Sequence, residues 1–217
     1  RDNHSIDYKK EVPRPLSHVT PKAKTKYDRD RYPQASLEEN DFVLISVGNR
    51  IGTELTEEFI DIVCERLLSE SNIRWLIVGG QNDYLSQCYG GLLEKNKIVY
   101  IPYEDDLPAL YQICDVFISP QRRGGGTSVF WAMYYGLPIA QPFSLQADAM
   151  MIVGLENIVG ETYEQMVEYV LSLWKNPEKY TEASNKIKQR ALYIESTQKQ
   201  AWKDFIDLLE IKEREKV

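Results

Sequence analysis

Three short stretches of the chain carry residues that could do chemistry. The first runs Ser119-Pro120-Gln121-Arg122-Arg123-Gly124-Gly125-Gly126-Thr127-Ser128. Three consecutive glycines cost conformational entropy and bury no side chain, but they let a backbone approach a ligand closely. A helix predicted to begin directly after them adds unpaired N–H donors and the positive end of its dipole. Thr127 and Ser128 add hydroxyls. Together these suit a phosphate or a pyrophosphate. Three charge-assisted bonds of roughly 1.5–3 kcal/mol each would approach the about 8 kcal/mol of micromolar binding. The plainer alternative is a flexible loop with Thr127 or Ser128 as a helix N-cap.

The second stretch is Gly48-Asn49-Arg50. An arginine there could pair with a diphosphate bidentately, or sit on the surface against Glu54 or Glu57. The third is Ile101-Pro102-Tyr103-Glu104-Asp105-Asp106. Tyr103 could stack on a base, or nearby backbone groups could read the base edge. Glu104 to Asp106 is either an acidic triplet of the metal-holding kind or the N-cap of a helix continuing through Leu107-Pro108-Ala109-Leu110.

Each stretch follows an apolar run too short for a helix and rich in β-branched residues. The runs are Phe42 to Val47, Arg74 to Val78 closed by Gly79-Gly80, Lys97 to Ile101, Asp115 to Ile118, and Leu137 to Ala140. Between them lie helical patterns. Leu55, Phe59, Ile62, Val63 and Leu67 share one face, with Thr53 as the expected N-cap. A weaker helix runs from Tyr84 to about Glu94, interrupted by Gly90-Gly91. Asp105 or Asp106 caps a short one ending at Tyr111, and another runs from Thr127 to Tyr135 with Gly136 as its left-handed stop. Strands that are apolar throughout are buried on both faces, so the alternation predicts a Rossmann-like α/β domain, a parallel sheet with helices on both faces. In such sheets ligands bind beyond the carboxyl ends of the strands, where all three stretches fall.

After Gly160 only helical patterns remain, a C-terminal helical tail. One helix is expected from Thr162 to Asn176, a second from Pro177, and a third from Ser196 carrying Trp202, Phe205, Ile206 and Leu209. The expected organisation is an arm over residues 1–40, a ligand-binding domain over 41–160 and helices packing on it over 161–217. The arm contains Pro13, Pro15, Pro21 and Pro33 and reads as extended chain.

The net charge of −7 is unevenly spread: residues 1–31 carry nine Lys/Arg and five Asp/Glu, so the remainder is strongly acidic. An acidic body argues against nucleic acid as a partner. The basic arm reads as a solvated linker, with peripheral contact to an anionic membrane face as the alternative. No run approaches the roughly 18 apolar residues that span a bilayer. Cys64, Cys88 and Cys114 are scattered, as expected in a reducing, cytoplasmic setting. With only His4 and His18 to help them, no metal site is expected.

The order of these features resembles the C-terminal, donor-binding domain of GT-B glycosyltransferases, in particular their group 1 family. The residues that carry the resemblance are Asp106-Leu107-Pro108-Ala109-Leu110-Tyr111, Asp115-Val116-Phe117-Ile118-Ser119-Pro120, the glycine-rich loop, and Ala132-Met133-Tyr134-Tyr135-Gly136-Leu137-Pro138. Asn176-Pro177-Glu178-Lys179-Tyr180 fits as well, and the likeness runs from about Phe42 to Leu209. It implies transfer of a hexosyl or N-acetylhexosaminyl group from a nucleotide-diphosphate sugar to a glycan, lipid-linked or protein acceptor, without a cofactor or metal. Donor diphosphate contacts would come from Arg50, Arg123, Gly124, Gly125, Gly126, Thr127 and Ser128, and nucleoside contacts from Gly79, Tyr103 and Leu107. The catalytic base is expected from a separate N-terminal domain, so none is assigned. Two departures stand out. Where the family often has two glutamates eight positions apart, this chain has Arg123 and Trp131, and where it often has a lysine, this chain has Leu55. A degenerate partner module and a sugar-nucleotide epimerase are the competing readings.

Overall fold

A computed structural model describes residues 21–144 and 148–214. Five strands form one parallel sheet: β1 Phe42–Gly48, β2 Ile73–Gly79, β3 Ile98–Ile101, β4 Val116–Ile118 and β5 Ile139–Ala140, in the order β3-β2-β1-β4-β5. β1 and β2 pair along their full length, from Phe42 opposite Ile73 to Gly48 opposite Gly79. Alternate residues of each strand enter two separate apolar clusters. Val43, Ile45, Val47, Leu76, Val78 and Phe117 join one, while Leu44, Trp75, Ile77, Val116 and Ile118 join the other. This is the two-sided burial that the continuous apolar runs imply. Ser46 is the polar exception inside β1. Its hydroxyl donates to Ile118 O (2.8 Å) and accepts from Trp75 Nε1 (3.0 Å), so burial leaves neither group unpaired.

Among the described residues nine α-helices connect and cover the strands: α1 Ile51–Glu54, α2 Glu57–Ile62, α3 Asp83–Cys88, α4 Gly90–Glu94, α5 Leu107–Tyr111, α6 Gly126–Tyr134, α7 Asp148–Val153, α8 Tyr163–Lys175 and α9 Pro177–Arg214. The expected cap at Thr53 is corrected. Leu55 is extended and breaks the chain between α1 and α2, so Thr56 becomes the N-cap, accepting from Phe59 N (3.3 Å), and Thr53 Oγ1 donates back to Arg50 O. α2 then widens into a π-type turn over Val63–Leu67, with Leu68 N donating to Val63 O. Gly136, at φ +81°, stops α6 as expected: Gly136 N donates to Met133 O and Leu137 N to Ala132 O, the paired bonds of a Schellman cap. Thr162 caps α8 in a reciprocal box with Gln165.

The tail differs from expectation in one respect. No break occurs at Ser196; α9 is a single helix, and Ser196 Oγ turns back onto Tyr193 O. Trp202 and Ile206 on it are exposed, and the side chains of Phe205 and Leu209 lie outside those described. α6 and α9 pack on one face of the sheet, and α2 and α8 on the other. Among the described residues no helix is long and apolar enough to cross a membrane.

The arm is the larger correction. Residues 1–20, with His4 and His18, lie outside the described residues, but residues 21–40 are not open chain. Ala35 is fully buried and Tyr27, Tyr32 and Leu37 nearly so, all in the first apolar cluster. Aromatic and aliphatic positions spaced through a Pro- and charge-rich stretch show no helical or strand period, yet they supply enough apolar area to anchor the strap.

Candidate functional site

The direction of strand order reverses at β1. The chain passes from β1 outward to β2 and β3, then crosses back to lay β4 on the other side of β1. In open parallel sheets this reversal leaves a crevice beyond the carboxyl ends of the two flanking strands. Here its walls are the β1–α1 turn, with Asn49 and Arg50, and the β4–α6 loop, with the three glycines.

That loop is built as a left-handed turn running into a helix. Gly124 and Gly125 have φ of +77° and +82°, which residues with a Cβ adopt only at a cost. Gly125 is the N-cap of α6 and no side chain caps the helix, so neither Thr127 nor Ser128 plays the capping part. Gly126, buried, opens the first turn, whose N–H groups have no carbonyl within the helix to bond. A Cβ on Gly124 would meet nothing within 4 Å, so its backbone faces open space. Thr127 is exposed and Ser128 half-buried, and the Ser128 carbonyl is held by the Tyr111 hydroxyl (3.2 Å).

Beneath the turn lies a side chain that sequence reasoning did not single out. Arg122 is 8% exposed, and its guanidinium crosses from the β4 loop to the end of β1. Nη2 donates to Val47 O (2.7 Å), Nε to Ser119 Oγ (3.1 Å), and Nη1 to Glu54 Oε2 (2.8 Å). Glu54, expected as one of two possible surface partners for Arg50, is the counter-ion of Arg122. Its other oxygen, Oε1, pairs with Arg50 Nη2 at 2.9 Å. Arg50, expected either on the diphosphate or on a nearby glutamate, is thus on Glu54 here, with most of its side chain in solvent. Arg123 is exposed. Trp131 packs against the first apolar cluster with Nε1 buried and unpaired among the described residues.

The expected nucleoside residues fall on the β2–β3 side of the same edge. Gly79 has φ +127°, and a Cβ there would overlap Gly48 O, so the close approach of the β1 and β2 ends accounts for it. Leu107 is the first residue of α5 and is half-buried. Tyr103 is 81% exposed on the turn after β3. The acids that follow Tyr103 are held by the protein. Glu104 accepts from the hydroxyls of Tyr27 (2.9 Å) and Tyr32. Asp105 pairs with Lys24 on the surface, which holds its carboxyl below the usual range. Asp106 is the N-cap of α5, accepting from Ala109 N, and its other oxygen takes Lys24 N, Thr25 N and Thr25 Oγ1 at 2.9, 2.9 and 3.0 Å. The capping alternative is therefore the one the structure builds, extended by the strap. No group of three His, Cys, Asp or Glu able to hold a metal occurs among the described residues.

The sequence pattern described as Glycosyl transferases group 1 matches residues 28–190, most of the chain. This chain belongs to that family. Among solved structures, an O-GlcNAc transferase mutant from Thermobaculum terrenum aligns at TM-score 0.63 and 16% identity, over 85% of this chain and 38% of that one. HepE of Anabaena, solved with UDP-glucose, aligns at 0.58 and 15%, over 77% and 49%. The C-terminal domain of the group 1 protein LpcC from Francisella tularensis aligns at 0.56 and 16%, over 81% of this chain and 95% of that domain. The chain thus has the fold of a GT-B C-terminal half and spans about half or less of the full-length glycosyltransferases it matches. No curated protein sequence matches it.

Proposed function

We propose that this group 1 domain is the donor-binding half of a glycosyltransferase that takes a hexosyl or N-acetylhexosaminyl group from a nucleotide-diphosphate sugar. The observation that carries the reading is the left-handed Gly124-Gly125 turn, which opens α6 at the strand-order reversal. There the diphosphate meets the first-turn amides of Gly126, Thr127 and Ser128, with Arg50 on the β1 side. These fixed donors stabilise the charge that grows on the leaving diphosphate as the glycosidic bond breaks. The nucleoside lies toward Gly79, Tyr103 and Leu107. Strand spacing of about 4.8 Å puts β3 roughly 14 Å from β4, so base and diphosphate sit at opposite ends of the edge. That the carboxylates after β3 are engaged by the strap and by α5 supports a metal-independent reaction. HepE, solved with UDP-glucose, supports a nucleotide sugar as the ligand class.

A glycan, lipid-linked or protein acceptor and the general base belong, in this reading, to an N-terminal half outside this chain. In this reading the domain works in the cytoplasm. Titration of the folded domain with UDP, GDP and ADP by calorimetry tests the central claim. Heat with at least one nucleotide, lost on Gly125→Val, is expected. A folded domain that binds none of the three refutes donor binding and leaves the partner-module reading in its place.

A further inference from the structure

Glu54 is one carboxylate shared between two arginines of unequal freedom. Each nitrogen of the Arg122 guanidinium donates to protein: Nη2 to Val47 O, Nε to Ser119 Oγ and Nη1 to Glu54 Oε2. Its side chain is 5% exposed, and its guanidinium occupies the space that a Cβ on Gly48 or Gly125 would need. Moving it would strip a buried charge of partners, which is strongly unfavourable. Arg50 is the opposite case. Its side chain is 71% exposed and its ion pair is a single contact to Glu54 Oε1 across one helical turn. Exposed pairs of this kind contribute only a fraction of a kcal/mol to about 1 kcal/mol. Two cations and one anion leave one positive charge uncompensated within the trio, at the mouth of the crevice.

We propose that Glu54 is a positioning residue that competes with the donor diphosphate for Arg50. Binding exchanges the Arg50–Glu54 pair for an Arg50–phosphate pair, while Glu54 stays on Arg122 and keeps the floor of the crevice intact. The inference rests on the diphosphate site proposed above and adds a regulator of its affinity. The carboxylate holds Arg50 folded against α1 until a stronger anion arrives. A bidentate guanidinium–phosphate pair is the stronger partner by geometry and by charge.

The test is a double-mutant cycle read by calorimetry with inorganic pyrophosphate and with UDP at low salt. E54Q removes the competing charge but keeps an amide oxygen for Arg122. It is expected to bind both probes roughly two- to fivefold more tightly, the equivalent of an exposed ion pair. R50Q is expected to weaken binding about tenfold, as loss of one charge-assisted contact does. In the R50Q/E54Q double variant the gain from E54Q must vanish. An equal gain in both backgrounds would mean that Glu54 acts only through its field, and no gain in either would mean no competition; either result overturns the proposal. If E54Q fails to fold, the wild-type domain with bound UDP decides it. An Arg50–Glu54 separation beyond 4 Å is expected in that crystal structure, and an intact pair refutes the exchange. Absence of pyrophosphate and UDP binding by the wild-type domain removes the diphosphate site itself, a failure distinct from an additive cycle.

Discussion

Gly48→Ala is the smallest change that probes how the floor of the crevice is held. Gly48 has no positive φ, so alanine carries no backbone penalty there. The obstacle is steric: a Cβ built on Gly48 would lie 2.3 Å from Arg122 Nη1. To reach ordinary contact the guanidinium must retreat by at least about 1 Å. Nη1 and Nη2 bond Glu54 Oε2 and Val47 O at 2.8 and 2.7 Å, and a planar group moving away from β1 loses both. Each charge-assisted bond is worth about 1.5–3 kcal/mol, and breaking a buried pair costs about 3–5 kcal/mol. A methyl group is thus expected to cost the domain about 3–5 kcal/mol, a fifth or more of a typical stability of about 5–15 kcal/mol. At about 2–4 °C per kcal/mol for a chain of this size, the melting temperature should fall by roughly 6–20 °C. Urea and thermal melts of wild type, Gly48→Ala, Arg122→Met and the double variant measure it. Arg122→Met is itself destabilised, but in that background the added methyl should change stability by less than about 0.5 kcal/mol. A Gly48→Ala protein that melts with wild type, or a penalty undiminished without Arg122, refutes the reasoning.

Two further outcomes follow from groups outside the crevice. Asp115, at the opposite edge of the sheet, accepts from Val43 N (2.7 Å) and faces Arg29 at 3.8 Å, but burial outweighs both and pushes its carboxyl up to about 6. The unfolded value is about 3.9, so the native state binds the extra proton between the two. The advantage of the protonated form is complete below about pH 4 and lost as pH rises through about 6, at a cost of up to about 3 kcal/mol. Asp115→Asn does not titrate, so urea melts should show its stability gaining on wild type by up to that amount between pH 4 and 7; a constant difference would contradict it. Asp106→Ala should cost about 2–4 kcal/mol, because a helix cap and three strap bonds lose their acceptor together, and should expose residues 21–41 to limited proteolysis. Asp106→Asn should recover the cap and little of the strap, and an unchanged digestion pattern for Asp106→Ala would show that the strap is held without it.

The elements that were legible in the sequence are those fixed by local chemistry. Five apolar runs became five strands because each is buried on both faces, and Gly136 and Thr162 ended and began helices through bonds made within a few residues. What escaped depends on contacts made across the chain. Tyr27 and Tyr32 anchor the strap by reaching Glu104, more than 70 positions away, and no periodicity announces such a bond. Leu55 lies on the predicted apolar stripe and is buried as predicted, yet its extended backbone moves the cap from Thr53 to Thr56. The supposed start of a helix at Ser196 failed because a serine hydroxyl can bond the carbonyl three residues back and remain inside a helix.

The adjacent arginines show where the limit lies at the site itself. Arg122 and Arg123 are indistinguishable in type, and the resemblance to the family drew attention to Arg123, because that position often holds glutamate. The structure buries Arg122 and exposes Arg123. One signal was nonetheless present: glycines at 48 and 125 both mark places where a side chain would collide with something bulky. A glycine that ends a strand and another that starts a helix, on strands that become neighbours, leave room between them for a guanidinium. Only the pairing of β1 with β4 reveals that the two rooms are one. The same reasoning explains why Glu54 was read as a possible partner of Arg50 and not of Arg122. From the sequence its partner could be Arg50 alone, whereas in the fold its second oxygen is the counter-ion of a buried arginine. The charge that a donor diphosphate would meet there is therefore set by Arg50, Glu54 and Arg122 together, where the sequence suggested Arg50 and Arg123.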